Sequence, residues 1–246
     1  MNELTYDVKI WATRVRNGKR GKVYEVRWAV AKQARSRGHS TIKLAESFRS
    51  SLITASRQGR AAFADADALV VPGVGAAGPA MARLRRRGLE APIRAWIAAG
   101  RPFLGICLGL QLLFEGSDED GAVTLGVLPG RTVRLSDAPR LPHIGWNQVE
   151  RQRAHPLFAG IDEDADFYFV HSYAAAPGPG ADAVILAQAA HGGRFVSAIA
   201  RGSLAGVQFH PERSGRDGLR LLANFVGLAQ AGGAASGRTQ APVLAH

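Results

Sequence analysis

The sequence predicts an α/β protein with a mostly parallel sheet flanked by helices, preceded by a small basic strand–strand–helix module. Three observations predict it. First, ALVV at 68–71 and FLGI at 103–106 are short apolar runs without alternation, the pattern of strands buried on both faces, and amphipathic helical sequence follows the first of them. Second, between 123 and 210 come several short strand-like runs, which read as a hairpin-rich insertion. Third, residues 1–60 hold 14 Lys+Arg against 4 Asp+Glu, so net +10 of the formal +11 lies there. All five lysines (Lys9, Lys19, Lys22, Lys32, Lys43) fall in that segment too. A break this sharp places a joint near Gly59–Ala64.

The elements follow in order. Residues 6–16 and 22–31 alternate apolar and polar around a Gly-containing loop, which reads as a hairpin. Residues 41–57 space Leu44, Phe48 and Leu52 helically behind Thr41 as N-cap. The strand at 68–71 leads into one helix over 79–99. The strand at 103–106 leads through Cys107 into a helix over LGLQLLF. TVRL, DFYFVHSYA, ILAQAA, FVSAIAR and LAGVQFH read as strands, and 215–229 as the last amphipathic helix. The domains expected are the module at 1–60, the main domain at 61–229, and a Gly/Ala-rich tail at 230–246 of disordered composition.

Bulk properties exclude several classes. With 246 residues and 46% hydrophobic side chains, the chain can bury a sizeable core in one domain with a small module. It has no uncharged apolar run of about 18 residues and no secretory signal pattern, so no membrane association and a cytoplasmic location are expected. A single cysteine excludes internal disulfides and any cysteine-cluster metal site. No metal and no cofactor is expected.

Chemistry concentrates in three motifs. In RPFLGICLGLQ (101–111), Gly105 and Gly109 flank Cys107 at two residues each way, which suits a tight strand–turn–helix elbow presenting a thiol at the sheet edge. A helix N-terminus and a neighbouring imidazole are expected to favour the thiolate. In LAGVQFHPERSG (204–215), His210 ends a strand and Glu212 follows two residues on, an arrangement in which His activates Cys and a carboxylate orients His. Taken alone, His210 reads as an ordinary strand-end histidine; the elbow upstream changes that reading. In VVPGVGAAGPAM (70–81), Gly-rich backbone after a strand can aim N–H groups at a developing oxyanion.

Together, in this order, the three motifs resemble the class I (triad) glutamine amidotransferases, of flavodoxin-like fold. LPHIGWNQV (141–149) and FYFVHSYA (167–174) narrow the likeness to the glutaminase subunits of imidazole glycerol phosphate synthase, over about 64–228. The resemblance implies glutamine hydrolysis through a Cys107 thioester, with His210 as base and then acid and Glu212 orienting it. Gly75 and the amide of Leu108 would form the oxyanion hole. Gln111, Glu119, Ser172 and Tyr173 would hold glutamine. Trp146, Asn147, Tyr168 and Arg213 would meet a cyclase subunit that takes the ammonia and makes imidazole glycerol phosphate and AICAR in histidine biosynthesis, the two subunits forming a heterodimer. Arg213 is commonly Lys in the family. Read singly, Trp146 and Tyr168 would be core residues and Gln111 a solvated one; His143 and His171 read as structural.

One departure stands out. The family opens with a short apolar strand and a Gly/Asn turn, and the basic module stands in their place. VKIWATRVRNGKRGKVYEVRWAVA and LAESFRSSLITASRQGRAAF resemble the N-terminal arm of actinobacterial phage-type tyrosine integrases. That resemblance implies DNA binding, with Arg14, Arg16, Lys19, Arg20, Lys22 and Arg27 on phosphates and Trp11 or Trp28 packing the sheet. Three readings stay open: residues 6–12 or 23–30 replace the absent strand; the glutaminase is damaged; or the chain is an inactive amidotransferase-like fusion that binds DNA.

Overall fold

The computed structural model describes residues 9–10, 13–18, 21–30, 33–46, 63 and 66–235. They fall into two compact units, Met1–Ala64 and Asp65–His246.

The first unit holds β1 (Lys9–Ile10), β2 (Arg14–Gly18), β3 (Gly21–Val30) and β4 (Gln33–His39), then a short helix α1 at 42–46. β3 is the centre of an antiparallel sheet, with β1 and β2 on one edge and β4 on the other. The expected two-strand hairpin is therefore a four-stranded sheet. β4 escapes sequence reading because QARSRGH carries no apolar alternation; seven consecutive partners on β3 define it. Thr41 caps α1 through Oγ1, 3.3 Å from the Leu44 N–H. The rest of the helix expected to 57 lies outside the described residues. Arg14 and Arg16, expected on phosphates, face Glu25 at 2.5 and 3.9 Å. Since β3 is paired on both edges in this sheet, residues 23–30 do not supply the family's first strand. Lys9 and Ile10 pair with β3 as well, and the rest of 6–12 is outside the described residues.

In the second unit, β5 (Leu69–Gly73), α2 (Ala77–Arg86), α3 (Glu90–Ala98) and β6 (Phe103–Cys107) come first. The single helix expected over 79–99 is two, because the chain turns at Gly88, which sits at φ +66°. Its N–H and that of Arg87 close the end of α2 on Arg85 and Arg83 carbonyls. α4 (Leu108–Gln111) has four residues, much shorter than LGLQLLF suggested. Leu112, Leu113 and Phe114 are buried, and the Leu113 and Phe114 carbonyls accept from the N–H groups of Val127, Leu128 and Gly126, so the chain leaves the helix to pair with the next loop.

β7 (Gly116–Ser117), β8 (Gly130–Arg134), β10 (Glu150–Arg151), β12 (Tyr173–Pro177), β13 (Ile185–His191), β14 (Gly193–Arg201) and β15 (Leu204–Val207) join β5 and β6 in a nine-stranded sheet. Only β5–β6, β6–β15 and β7–β8 are parallel; the other pairings are antiparallel. The sheet is mixed rather than mostly parallel, because the hairpin-rich stretch adds its strands to the main sheet. Among the described residues β5 pairs with β6 alone, so it is an edge strand there, half-buried to exposed along its length, and not buried on both faces as its apolar run suggested. β9 (His143–Gln148) and β11 (Asp166–His171) form a separate antiparallel ribbon.

β6 is buried at every position, as a strand flanked by β5 and β15 requires. Phe167, Phe169 and Phe209 are fully buried together, with ring centroids 4.2 and 5.6 Å apart from Phe209. Each such ring contributes roughly 1.5–3 kcal/mol of transfer free energy. The last helix, α5 (Gly215–Ala235), buries Leu221, Phe225 and Ala229 at four-residue spacing. It runs past 229 into the stretch whose composition suggested disorder; residues after 235 lie outside the described set.

Candidate active site

The parallel pair β5–β6 builds the elbow. Cys107 pairs with Gly73 in register and adopts φ 52°, ψ −108°, the only positive φ outside glycine among the described residues. For a non-glycine residue this is strained backbone, held by what surrounds it. The flanking glycines are required by close approach. A Cβ on Gly109 would lie 1.7 Å from the Val71 carbonyl oxygen, and one on Gly105 would lie 2.6 Å from the Gly109 backbone. The G-x-C-x-G spacing thus lets β5, β6 and α4 meet at van der Waals distance beneath the thiol.

The thiol is buried, and burial pushes it up to about 11, with the Glu212 carboxylate adding in the same direction. A hydrogen bond from the Leu108 N–H and one from Gln208 Nε2 at 3.6 Å act the other way. The expectation that a helix dipole and an imidazole favour the thiolate is therefore not met here. α4 is a single turn, too short for an appreciable dipole, and desolvation outweighs the donors.

β15 carries the chain out to His210 and Glu212. His210 Nδ1 lies 2.7 Å from Glu212 Oε1, the contact through which a carboxylate orients an imidazole. His210 Nε2 is buried without a hydrogen-bond partner among the described residues. The histidine is tied to β11 through its backbone: its N–H donates to the Tyr168 carbonyl at 2.8 Å, and its carbonyl accepts from Ser214 Oγ at 2.6 Å. Ser214 Oγ in turn accepts from the Tyr168 N–H at 3.0 Å.

The remaining predicted residues group in two places. Gln111, buried on α4, donates to the Tyr173 carbonyl at 2.9 Å, so these two meet, and Ser172 lies between Tyr173 and β11. Glu119 is exposed in the turn after β7, with its carboxyl raised by partial burial and by Asp120. Gly75 sits at φ +88° in the loop from β5 to α2, and the α2 start is held by Asp120, which accepts from the Gly78 N–H at 2.6 Å. On the ribbon, Trp146 and Tyr168 are register partners with rings 5.9 Å apart, and the Arg213 guanidinium lies 4.2 Å over Tyr168. Trp146 is 57% and Ile144 60% exposed, so these side chains make one aromatic surface patch instead of core. Asn147 points to the other side of β9, onto the Ala190 carbonyl at 2.8 Å. Sequence reasoning missed Gln208, Ser214 and Asp120; the VQFH run holds the first, but nothing local marks its contact.

A strained cysteine elbow over a sheet edge, with a carboxylate-oriented histidine from the neighbouring strand, defines a cysteine-nucleophile hydrolase of the triad type. The class I glutamine amidotransferase model matches residues 23–228. That match reaches into the basic segment at 1–60. A relative from Symbiobacterium thermophilum named imidazole glycerol phosphate synthase subunit HisH is 53% identical over 166 residues, 67% of this chain and 77% of the relative. Subunits of the same name from Synechococcus sp. and Aromatoleum aromaticum are 51% and 45% identical, covering 77% and 81% of their lengths. Among solved structures, a glutamine amidotransferase aligns with TM-score 0.52 at 23% identity over 67% of this chain and 79% of that one. A GMP synthase component from Thermoplasma acidophilum gives 0.50 at 20%, over 75% and 80%. At these identities the two structures speak for the fold. The chain belongs to the class I glutamine amidotransferase family, and it is a glutamine amidotransferase.

Proposed function

We propose that this chain is the glutamine-hydrolysing subunit of an imidazole glycerol phosphate synthase in histidine biosynthesis, working with a cyclase subunit that receives the ammonia. The relatives' names support that role, and the observation that carries it is the strained Cys107 elbow beside the His210–Glu212 pair. Cys107 Sγ attacks the side-chain amide carbon of glutamine, and the C=O oxygen takes the charge. Gly75 and Leu108 N–H groups meet that oxygen. His210 delivers the thiol proton to the departing nitrogen, so ammonia leaves and a thioester remains. His210 then takes a proton from water, whose oxygen displaces the thiol and yields glutamate. Glu212 keeps the imidazole oriented throughout. Gln111, Glu119, Ser172 and Tyr173 hold the substrate. Trp146, Tyr168 and Arg213 form the docking patch, with Asn147 behind it.

Two features support a glutaminase that needs its partner. The thiol is protonated near neutral pH, and His210 Nε2 lacks a partner among the described residues. Tyr168 belongs both to the patch and to the hydrogen bonds that hold His210, so docking acts where the triad is anchored. Residues 61–229 carry this activity and residues 1–60 form an accessory module. The alternative, an inactive fusion binding DNA, meets Arg14 and Arg16 already facing Glu25. Glutamate release from the full chain, alone and with a cyclase subunit, tests the reading. Release is expected to be low alone, to rise with the partner, and to fall on the order of 10³-fold or more in Cys107→Ala. Undiminished release from that variant would reject it.

A further inference from the structure

Gln208 is completely buried between β15 and His210, and the chemistry above gives it no task. Both ends of its amide are engaged. Nε2 donates to Cys107 Sγ at 3.6 Å, and Oε1 accepts from Gln111 Nε2 at 3.1 Å. The second Gln111 hydrogen goes to the Tyr173 carbonyl at 2.9 Å, which also accepts from His171 Nδ1 at 2.9 Å. A neutral imidazole that donates from Nδ1 must accept at Nε2. The donor there is His143 Nδ1, 3.2 Å away. His143 then accepts at Nε2 from Asn147 Nδ2 at 3.4 Å. Burial holds both imidazoles neutral, down to about 4 for His143 and about 3 for His171, so each keeps one tautomer.

Donors and acceptors along this chain fit in one arrangement only. Turning the Gln208 amide over would set its N–H against the Gln111 N–H and leave the sulfur without this donor once it ionises. We infer that Gln208 is a positioning residue for the nucleophile, oriented through Gln111, Tyr173, His171, His143 and Asn147 so that an N–H faces Cys107 Sγ. The donor holds the thiol in place and stabilises the thiolate as it forms, against the raising effect of burial and of the Glu212 carboxylate; the Leu108 N–H assists, and His210 receives the proton.

The inference rests on Cys107 being the nucleophile, and it is tested without glutamine. Cys107 is the sole cysteine, so iodoacetamide alkylation followed against pH reports this thiol alone. Gln208→Leu removes donor and acceptor. Gln208→Glu keeps the size and the acceptor for Gln111 but loses the donor once ionised. A hydrogen bond to a charged group corresponds to about a tenfold or larger change in ionisation. Both variants are expected to alkylate about tenfold more slowly than the parent at pH 8, with midpoints displaced upward, and to lower kcat for glutamine more than they raise KM. Parent-like alkylation profiles in a folded variant overturn the inference. So does failure of both variants to fold, which would assign Gln208 to the core alone. Loss of glutaminase in the parent chain with the alkylation difference intact would count against the proposed function and not against this one.

Discussion

Gly109→Ala puts the elbow to a direct test. The added Cβ would lie 1.7 Å from the Val71 carbonyl oxygen and 2.9 Å from its carbon. Ordinary contact needs about 3.5 Å, so the two backbones must part by well over 1 Å. Neither yields easily. Val71 is paired with Gly105 in the β5–β6 ladder, and Gly105 itself touches the Gly109 backbone. Overpacking costs about 1–3 kcal/mol, and a clash between two backbone segments falls at the upper end. For a chain of this size about 3 kcal/mol lowers the unfolding temperature by roughly 6–12 °C. Displacing the nucleophile by about 1 Å costs on the order of 10²-fold in rate. Gly75→Ala is the control: a Cβ there meets nothing within 4 Å, and φ +88° leaves backbone strain as its main cost, about 1–2 kcal/mol. Thermal unfolding and glutaminase assays with the cyclase subunit present separate the two. Gly109→Ala is expected to lose both stability and activity, and Gly75→Ala mainly activity. A Gly109→Ala protein that unfolds within a degree or two of the parent and keeps full activity would refute the close-approach argument.

Two pH dependences follow together. Cys107 ionises higher in the folded chain, about 11 against an ordinary 9.0, so its alkylation in the isolated chain should climb about tenfold per unit from pH 7 to 10; a plateau by pH 9 would contradict this. The same shift stabilises the fold below pH 9, and roughly 3 kcal/mol is lost as pH rises through 11. His143 and His171 are shifted the other way, to about 4 and about 3. Their contribution is complete above pH 6.5 and declines as the unfolded chain takes up protons that the folded one refuses. Urea unfolding should show a loss of about 3 kcal/mol between pH 6.5 and 5, and a flat profile there would mean these rings are not held neutral.

The sequence by itself determined the elbow and the His210–Glu212 pairing, because both are written in short-range patterns. Glycines two residues either side of Cys107 and a carboxylate two residues past His210 are local requirements of a turn and of an imidazole's partner. The strands 69–73 and 103–107 and the joint near residue 64 were legible for the same reason, as apolar runs and a change in composition, although of the two strands only 103–107 is buried. Only the tertiary structure decided that β4 pairs along its length with β3 without any apolar alternation, that the hairpin-rich stretch makes the sheet mixed, and that Gly88 cuts one helix into two. It also decided the electrostatics. The thiol's high ionisation comes from desolvation by surrounding elements, and its donor Gln208 lies 101 residues away along the chain. Hydrogen bonds and desolvation depend on which segments meet in space, and a pattern confined to neighbouring residues carries no record of that.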